Sequence, residues 1–331
     1  MNNYNDTVIS TRIRLARNLE NVPFTHRLNN KGKLKVIEDV RCALMDSNSA
    51  LSNEFTLIKL WEIPQQEALA LAENHLISYE LAKNPQGSAV MLNRDRTVSI
   101  MINEEDHIRL QVIMPGFEPE KAYDLADKLD DLLNETLDFA FDEKLGYLTQ
   151  CPTNLGTGLR ASVMLHLPAL QSTRSMPRIA SELSKLGLTI RGFYGEGSEP
   201  CGAIYQLSNQ ISLGISEQAA IKNLKSIAEQ LISQERRERE TMLKNIAVKD
   251  KIHRSFGLLK HAKIMSHAEA TALLSNLRLG AACGEFDASM IKKADALTTM
   301  VQPATLMKLA GKEMTPEERD EYRAQLIQNQ I

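Results

Sequence analysis

Short apolar runs alternate with polar turns through the first half of the chain. Ser88–Leu92 and Thr97–Ile102 flank the turn Asn93-Arg94-Asp95-Arg96. A second turn, Asn103-Glu104-Glu105-Asp106, leads into His107–Met114. There Ile108, Leu110 and Val112 alternate with His107, Arg109 and Gln111, the two-residue period of a strand. The pattern predicts an antiparallel meander whose last strand has one polar face, as a strand lining a wet site would. Pro115-Gly116 stops that strand, and Lys121–Phe141 then places Ala122, Leu125, Ala126, Leu129, Leu132, Leu133, Leu137 and Ala140 at helical spacing. Further strands are predicted over Leu159–Leu165 and Leu188–Tyr194. A helix lies between them at Met176–Leu186, with Ser175 as N-cap and Gly187 past its end. Ala203–Leu207 and Gln210–Gly214 read as a hairpin.

From Ser216 onward the period is helical. Ala220, Ile221, Leu224, Ile227, Ala228, Leu231 and Ile232 form one apolar stripe. Its continuation, Glu235-Arg236-Arg237-Glu238-Arg239-Glu240, alternates in sign and reads as a solvated helix face with i,i+4 pairs. Past about Lys249 no strand is predicted. Ser266-x-x-Glu269 opens a helix closed near Gly280, and Thr315-Pro316-Glu317-Glu318 opens another with proline at its first position. The expected fold is α+β, an antiparallel sheet flanked by helices over residues 1–249, followed by an all-α C-terminal domain over 250–331.

Composition adds little. The chain has 331 residues, 43% hydrophobic and 24% charged, with a net charge of -3, so no bulk charge calls for nucleic acid or an anionic membrane. Cys42, Cys151, Cys201 and Cys283 are widely spaced without a C-x-x-C pair, which argues against a zinc site or a disulfide framework and for free thiols in the cytoplasm. Met1–Thr7 has no secretory pattern, and no stretch reaches transmembrane length.

The candidate chemistry lies in arginines on strands and tight loops: Arg12 and Arg14, Arg109, Arg160 and Arg191. Arg12 and Arg14 are two apart, so an extended segment points them the same way. A guanidinium keeps its charge and offers a planar fork to phosphate oxygens. Such forks over one sheet face would hold a nucleoside triphosphate without a G-x-x-x-x-G-K-[ST] loop or a G-x-G-x-x-G turn, and the chain has neither. Taken one at a time, each arginine reads more readily as a surface residue.

Several motifs, in order, carry a resemblance. Cys151-Pro152-Thr153-Asn154-Leu155-Gly156-Thr157 is similar to the signature loop of the phosphagen (ATP:guanidino) kinases. Asn103-Glu104-Glu105-Asp106-His107 resembles their acidic motif. Ser10-Thr11-Arg12-Ile13-Arg14, Arg160-Ala161-Ser162-Val163-Met164 and Arg191-Gly192-Phe193-Tyr194-Gly195-Glu196 resemble their nucleotide-contacting segments. The resemblance runs from about residue 7 to 248. It lacks the small N-terminal helical domain with which kinases of free guanidino compounds enclose their substrate, and it adds the C-terminal helices. Both departures resemble the branch of the family that phosphorylates arginine in proteins. Arg319-Asp320-Glu321-Tyr322-Arg323-Ala324 matches the R-D-x-x-R-A motif with which that branch binds phosphoarginine.

The resemblance implies an ATP-dependent kinase, with Mg2+ bridging phosphate oxygens and few protein ligands to the metal. It places the base at Glu105 and a second guanidinium-holding carboxylate at Glu196. Glu104 and Asp106 would shape the loop or face the metal. Cys151 would position the acceptor, or be a buried loop cysteine. The nucleotide would meet the arginines, and His75 matches a family position near the base or ribose, although a structural histidine fits equally. Arg319, Asp320 and Arg323 would hold phosphoarginine, against an internal Asp320–Arg323 pair on an exposed helix. Implied partners are proteins with exposed arginine, an activator protein, a Clp-type ATPase or protease for which substrates are marked, and a second copy of the chain. A kinase of free guanidino compounds and a non-catalytic phosphoarginine adaptor are the rival readings.

Overall fold

A computed structural model describes residues 4–47, 52–192 and 201–331. In chain order, the first elements are β1 (Val8–Arg17), α1 (Asn30–Met45), β2 (Phe55–Lys59), α2 (Gln65–Glu73), α3 (Tyr79–Lys83), β3 (Ala89–Asn93), β4 (Val98–Ile102), β5 (Ile108–Pro115) and α4 (Pro119–Asn134). There follow β6 (Phe141–Asp142), β7 (Gly146–Tyr147), β8 (Leu159–His166), α5 (Pro168–Ser172), α6 (Met176–Lys185), β9 (Leu188–Gly192) and β10 (Ile204–Asn209). The rest is helical: α7 (Glu217–Met242), α8 (Ile246–His261), α9 (His267–Ala282), α10 (Ser289–Met300), α11 (Pro303–Ala310) and α12 (Pro316–Gln330). The fold is α+β, as the patterning predicts. The chain divides into two compact units, one of Ser10–Ser162 and Ser208–Lys225, the other of Met1–Ile9, Val163–Leu207 and Ser226–Ile331.

In the unit built on Ser10–Ser162, the strand order is β2-β3-β4-β5-β1-β8. β3, β4 and β5 form the predicted antiparallel meander, β2, which the patterning did not predict, pairs antiparallel with β3, and β5 pairs antiparallel with β1. The registers Arg14↔Gln111↔Ser99 and Ala16↔Arg109↔Met101 set these side chains on one face, since directly opposed residues share a face. At the β3–β4 side this face is apolar. Val90, Leu92 and Met101 form a core with Leu71, Leu76 and Leu81 of the α2–α3 region. Toward β5 and β1 it turns polar. Ile13, Leu15, Leu110 and Val112 alternate out of it and are fully buried, with α1 and α4 packed against β4 and β5.

Three expectations change here. The helix predicted to Phe141 ends at Asn134. Its last residues are taken by another pairing: Leu19 bridges Phe139, and Ala140 N donates to Asn18 O at 2.8 Å. Gln210–Gly214 is no strand. Ser212 Oγ instead donates to Thr153 O and Leu155 O, pinning the loop that follows Cys151. Ser175 lies before α6 but makes no capping bond, because its hydroxyl meets Thr173 Oγ1 at 2.8 Å.

In the other unit, the order is β8-β10-β9, and the C-terminal helices gather around Leu259, Leu274, Leu277, Leu297, Ala324 and Ile327. Thr315 and Glu318 make both halves of the capping box that starts α12, while Ser266 makes its half with Glu269 N. α9 runs past Gly280, where an added Cβ would strike Phe286 and Ile252 at under 3 Å. That glycine serves helix packing rather than helix termination. The charged run on α7 is likewise not a solvated face. Glu235 is 0% exposed and accepts from Ala169 N, Leu170 N and Arg239 Nε, and Arg239 also donates to His166 O and Asp6 O. Buried charge is retained there because every partner is supplied.

Candidate active site

The acidic loop between β4 and β5 is folded by its own residues. Asn103 takes a left-handed conformation, φ 59°, which asparagine tolerates better than most residues. Its Nδ2 donates to Lys33 O and Gly87 O, and its N–H to His107 O. Asp106 turns inward and accepts from Asn18 Nδ2 and Gln150 N. His107 accepts from Leu19 N on Nδ1, so its proton sits on Nε2 and is donated to Pro23 O. With Asn103, Asp106 and His107 buried and the Glu104 side chain largely covered, Glu105 is the loop acid left half-exposed.

Arg109, at the start of β5, grips both. It pairs with Glu104 through Nη1–Oε1 at 2.7 Å and Nη2–Oε2 at 2.7 Å, and its Nη2 reaches Glu105 Oε2 at 3.2 Å. Burial pushes the Glu105 carboxyl above the ordinary glutamate range, Asp106 and Glu104 add to the rise, and Arg109 and the Cys151 thiol oppose it. Cys151 Sγ lies 3.0 Å from Thr153 Oγ1. Glu105, Arg109, Cys151, Arg14 and Arg160 all line one cavity of about 120 Å3.

Four of the five arginines singled out in the sequence, Arg12, Arg14, Arg109 and Arg160, lie near one another within this unit. Arg12 and Arg14 alternate with the buried Thr11 and Ile13 along β1, so both stand on the face that carries Arg109. Arg12 is pushed down to about 10, first by burial and then by Arg109 and Arg160. Arg14 falls further below its ordinary value, by burial and by Arg12, Arg109 and Arg160, with Glu104 opposing. Arg14 Nε is buried with no hydrogen-bond acceptor. Guanidiniums so crowded destabilise the fold unless an anion compensates them, and a polyphosphate supplies that charge.

His75 follows α2 with φ 60°, and its carbonyl accepts from Gln111 Nε2 at 2.7 Å, on the same sheet face. Burial, reinforced by Arg12, lowers its imidazole to about 4, so it is neutral at pH 7. Arg160 Nε donates to Asn209 O at 3.4 Å, and Asn209 ties the strand by accepting from Ala161 N and donating to Leu159 O. Ser162 Oγ donates to Arg12 O at 3.5 Å, and Thr11 Oγ1 donates to Gly116 O. Thr11, Ile13, Ala161, Ser162 and Val163 are buried, while Ser10 is half-buried. Met164, Arg191 and Gly192 belong with Val163 to the other unit. Phe193, Tyr194, Gly195 and Glu196 lie outside the described residues.

Sequence reasoning passed over two supports. Asn209 lies outside any motif. Arg17 is 1% exposed, pairs with Asp130 at 2.8 Å and stacks over Tyr147, and its Nη1 donates to Thr157 O, holding the end of the Cys151 loop. Its place on β1, three residues after Arg14, was the available signal.

On the C-terminal helix α12, Arg323 is 1% exposed. Its Nε donates to Val301 O at 3.0 Å and its Nη1 to Met265 O at 2.8 Å and Asp320 Oδ1 at 2.5 Å. Arg319 Nη1 donates to Met314 O, and the Asp320 side chain is 37% exposed. The helix is thus less exposed at Arg323 than the sequence suggests, and Asp320 and Arg323 form an internal pair.

Among the described residues no group of three or more His, Cys, Asp or Glu side chains is placed to hold a metal ion, and no helix is long and apolar enough to cross a membrane. Cys42, Cys151 and Cys283 are free thiols.

Comparison with known proteins places this geometry. Residues 35–238 match the family model described as "ATP:guanido phosphotransferase, C-terminal catalytic domain", and residues 245–331 match "Protein-arginine kinase McsB C-terminal domain". The chain is 47% identical to the protein-arginine kinase of Caldanaerobacter subterraneus subsp. tengcongensis, over 98% of this chain and 97% of that one. It is 48% identical to that of Halothermothrix orenii, over 98% and 93%. Among solved structures, the duplicated taurocyamine kinase from Schistosoma mansoni with bound transition-state analogue components is 30% identical, with a TM-score of 0.63 over 70% of this chain and 33% of that one. Lombricine kinase is 26% identical, with a TM-score of 0.62 over 70% and 67%. The chain belongs to the ATP:guanido phosphotransferase family, in its protein-arginine kinase branch.

Proposed function

We propose that this protein transfers the γ-phosphate of ATP to the guanidinium of arginine side chains in proteins. The observation that carries this reading is Glu105 in one small cavity with Cys151, Arg14, Arg109 and Arg160, an acid beside a cluster of phosphate-binding forks.

An arginine guanidinium is protonated at neutral pH, with a pKa of about 12.5–13.8, so its nitrogen lone pair is a poor nucleophile. Glu105 orients the reacting nitrogen and takes the proton it sheds as the N–P bond forms and the bond from the γ-phosphorus to the bridging oxygen of ADP breaks. Its raised pKa makes it the better acceptor. Arg12, Arg14, Arg109 and Arg160 bind the phosphates and stabilise the charge on the leaving ADP, and Arg191 joins them in this reading. Glu196 clamps the other side of the guanidinium, Cys151 positions it, and His75, neutral, faces the nucleoside. Ser10–Arg14, Arg160–Met164 and Arg191–Glu196 are the nucleotide-contacting segments. Mg2+ would be held mainly by the nucleotide and water, with Glu104 or Asp106 the nearest acids of the loop, and would supply further neutralisation of the phosphate charge.

The proposal extends to the rest of the chain. Residues 1–249 form the catalytic domain and 250–331 the dimerisation domain, in which Arg319, Asp320 and Arg323 bind phosphoarginine. The protein works in the cytoplasm in the stress response, with an activator protein, and marks its substrates for a Clp-type protease. The test of acceptor class is direct. γ-Labelled ATP is offered with free arginine in one reaction and an arginine-rich protein in another. Label entering the protein as acid-labile phosphate supports the reading, and label entering only free arginine overturns it in favour of a small-molecule guanidino kinase.

A further inference from the structure

Glu105 lies in the walls of two cavities of the same unit. One is the small arginine-lined cavity already described. The other, about 530 Å3, includes Thr25, Lys33, Glu80, Asn103, Glu104 and Glu105 in its lining. The γ-phosphate belongs on the arginine side of Glu105, so the acceptor reaches the base from the larger cavity. A volume in this range takes ligands of drug size, more than one guanidinium requires.

The chemistry of its wall is one-sided. It presents three carboxylates, Glu80, Glu104 and Glu105, against one ammonium, Lys33. Glu104 and Glu105 are already engaged by Arg109. Glu80, in the first turn of α3, accepts from Asn84 Nδ2 and forms no ion pair among the described residues. Two further lining residues carry orphaned oxygens. Asn103 Oδ1 is buried with no donor to it, although Nδ2 of the same amide is fully used. Thr25 Oγ1 is also buried without a partner, on a residue 5% exposed. Buried polar atoms are nearly always paired in folded proteins, so two orphans in one cavity wall mark a place where a ligand with N–H donors completes the structure.

We propose that this cavity seats the side chain of a basic residue neighbouring the acceptor arginine, and that Glu80 reads its charge. The inference rests on the protein-arginine kinase reading and adds a substrate preference to it. A cation beside the acceptor gains Glu80 and the acceptor-rich wall, whereas an acidic neighbour meets mostly like charge, three carboxylates against one ammonium.

Peptides with a single arginine, whose neighbour is lysine, norleucine or glutamate, test it. At low salt the lysine peptide is expected to exceed the glutamate peptide by about tenfold in kcat/KM, carried by KM rather than kcat, as ground-state binding would be. In Glu80→Gln the ratio is expected to shrink to about threefold or less, and high salt is expected to shrink it in the unaltered enzyme, since this half-open site is screened. The salt series keeps the test decisive if the variant folds poorly. Equal kcat/KM for all three peptides, or a lysine preference untouched by Glu80→Gln and by salt, overturns the proposal. Phosphoarginine formed without regard to the neighbour removes this inference alone, whereas none on any peptide removes the kinase reading with it.

Discussion

Arg109 holds Glu105 at 3.2 Å, Nη2 to Oε2, while the same guanidinium binds Glu104 with two shorter contacts. The looser grip leaves the Glu105 carboxylate able to engage an arriving guanidinium. Glu104 keeps Arg109 in place, and in the proposed mechanism Glu105 is the base. Glu105→Gln preserves shape and removes the base. Phosphotransfer is expected to fall by about 10²–10⁴-fold, the usual contribution of a positioned general base, while ATP affinity measured by calorimetry stays within about twofold. Transfer at the parental rate would remove Glu105 from the mechanism.

In the proposed mechanism the same carboxyl sets the acid side of the pH profile. It must be ionised to work, and burial raises its pKa, so activity is lost on acidification earlier than for an ordinary glutamate. The acid limb of kcat/KM is expected above about 4.3, the unperturbed value. A profile flat down to that value would show that no raised carboxyl governs the step.

Arg14 carries a cost that a nucleotide bound as proposed would offset. Its pKa is lowered in the folded state, so keeping it charged costs stability below the lowered value, and that cost is relieved as pH rises through it. Arg14→Met keeps the apolar stem and removes the charge. The variant is expected to melt higher than the parent without ligand, and to lose most of the rise in Tm that ATP or tripolyphosphate gives the parent. A lower apo Tm with an intact tripolyphosphate shift would contradict the anion-site reading.

At the C-terminus, Arg323 braces the fold as well as belonging to the proposed phosphoarginine site. Arg323→Ala leaves Val301 O and Met265 O without their donor and is expected to cost about 2–4 kcal/mol, seen as a drop in Tm of several degrees. Asp320→Ala, at a half-exposed side chain, is expected to weaken phosphoarginine binding while the catalytic site stays active. Unchanged phosphoarginine affinity in that variant would count against the pocket.

Much of this was legible in the sequence because it rests on local rules. The two-residue spacing of Arg12 and Arg14 fixes their common face in any strand, and the alternation of Arg109 and Gln111 with Leu110 and Val112 marks the polar side of β5. The meander follows from turn residues alone. What was not legible depends on distant partners. Nothing near Glu235 and Arg239 announces Ala169 N, Leu170 N or His166 O, so a buried network read as a solvated face. Leu137 and Ala140 keep helical spacing, yet the pairing of residues 139 and 140 with 18 and 19 takes that stretch away from the helix. Asn209 organises the Arg160 strand by hydrogen bonds reaching across 48 residues, a relation no local motif encodes.

Mass spectrometry of a basic protein incubated with ATP and this enzyme, worked up without acid, tests the central claim most directly. An 80 Da addition on arginine residues is expected with the parent enzyme, lost on acid treatment and absent with Glu105→Gln. Phosphate found only on serine, threonine or tyrosine, or arginine modification that persists in Glu105→Gln, would contradict it.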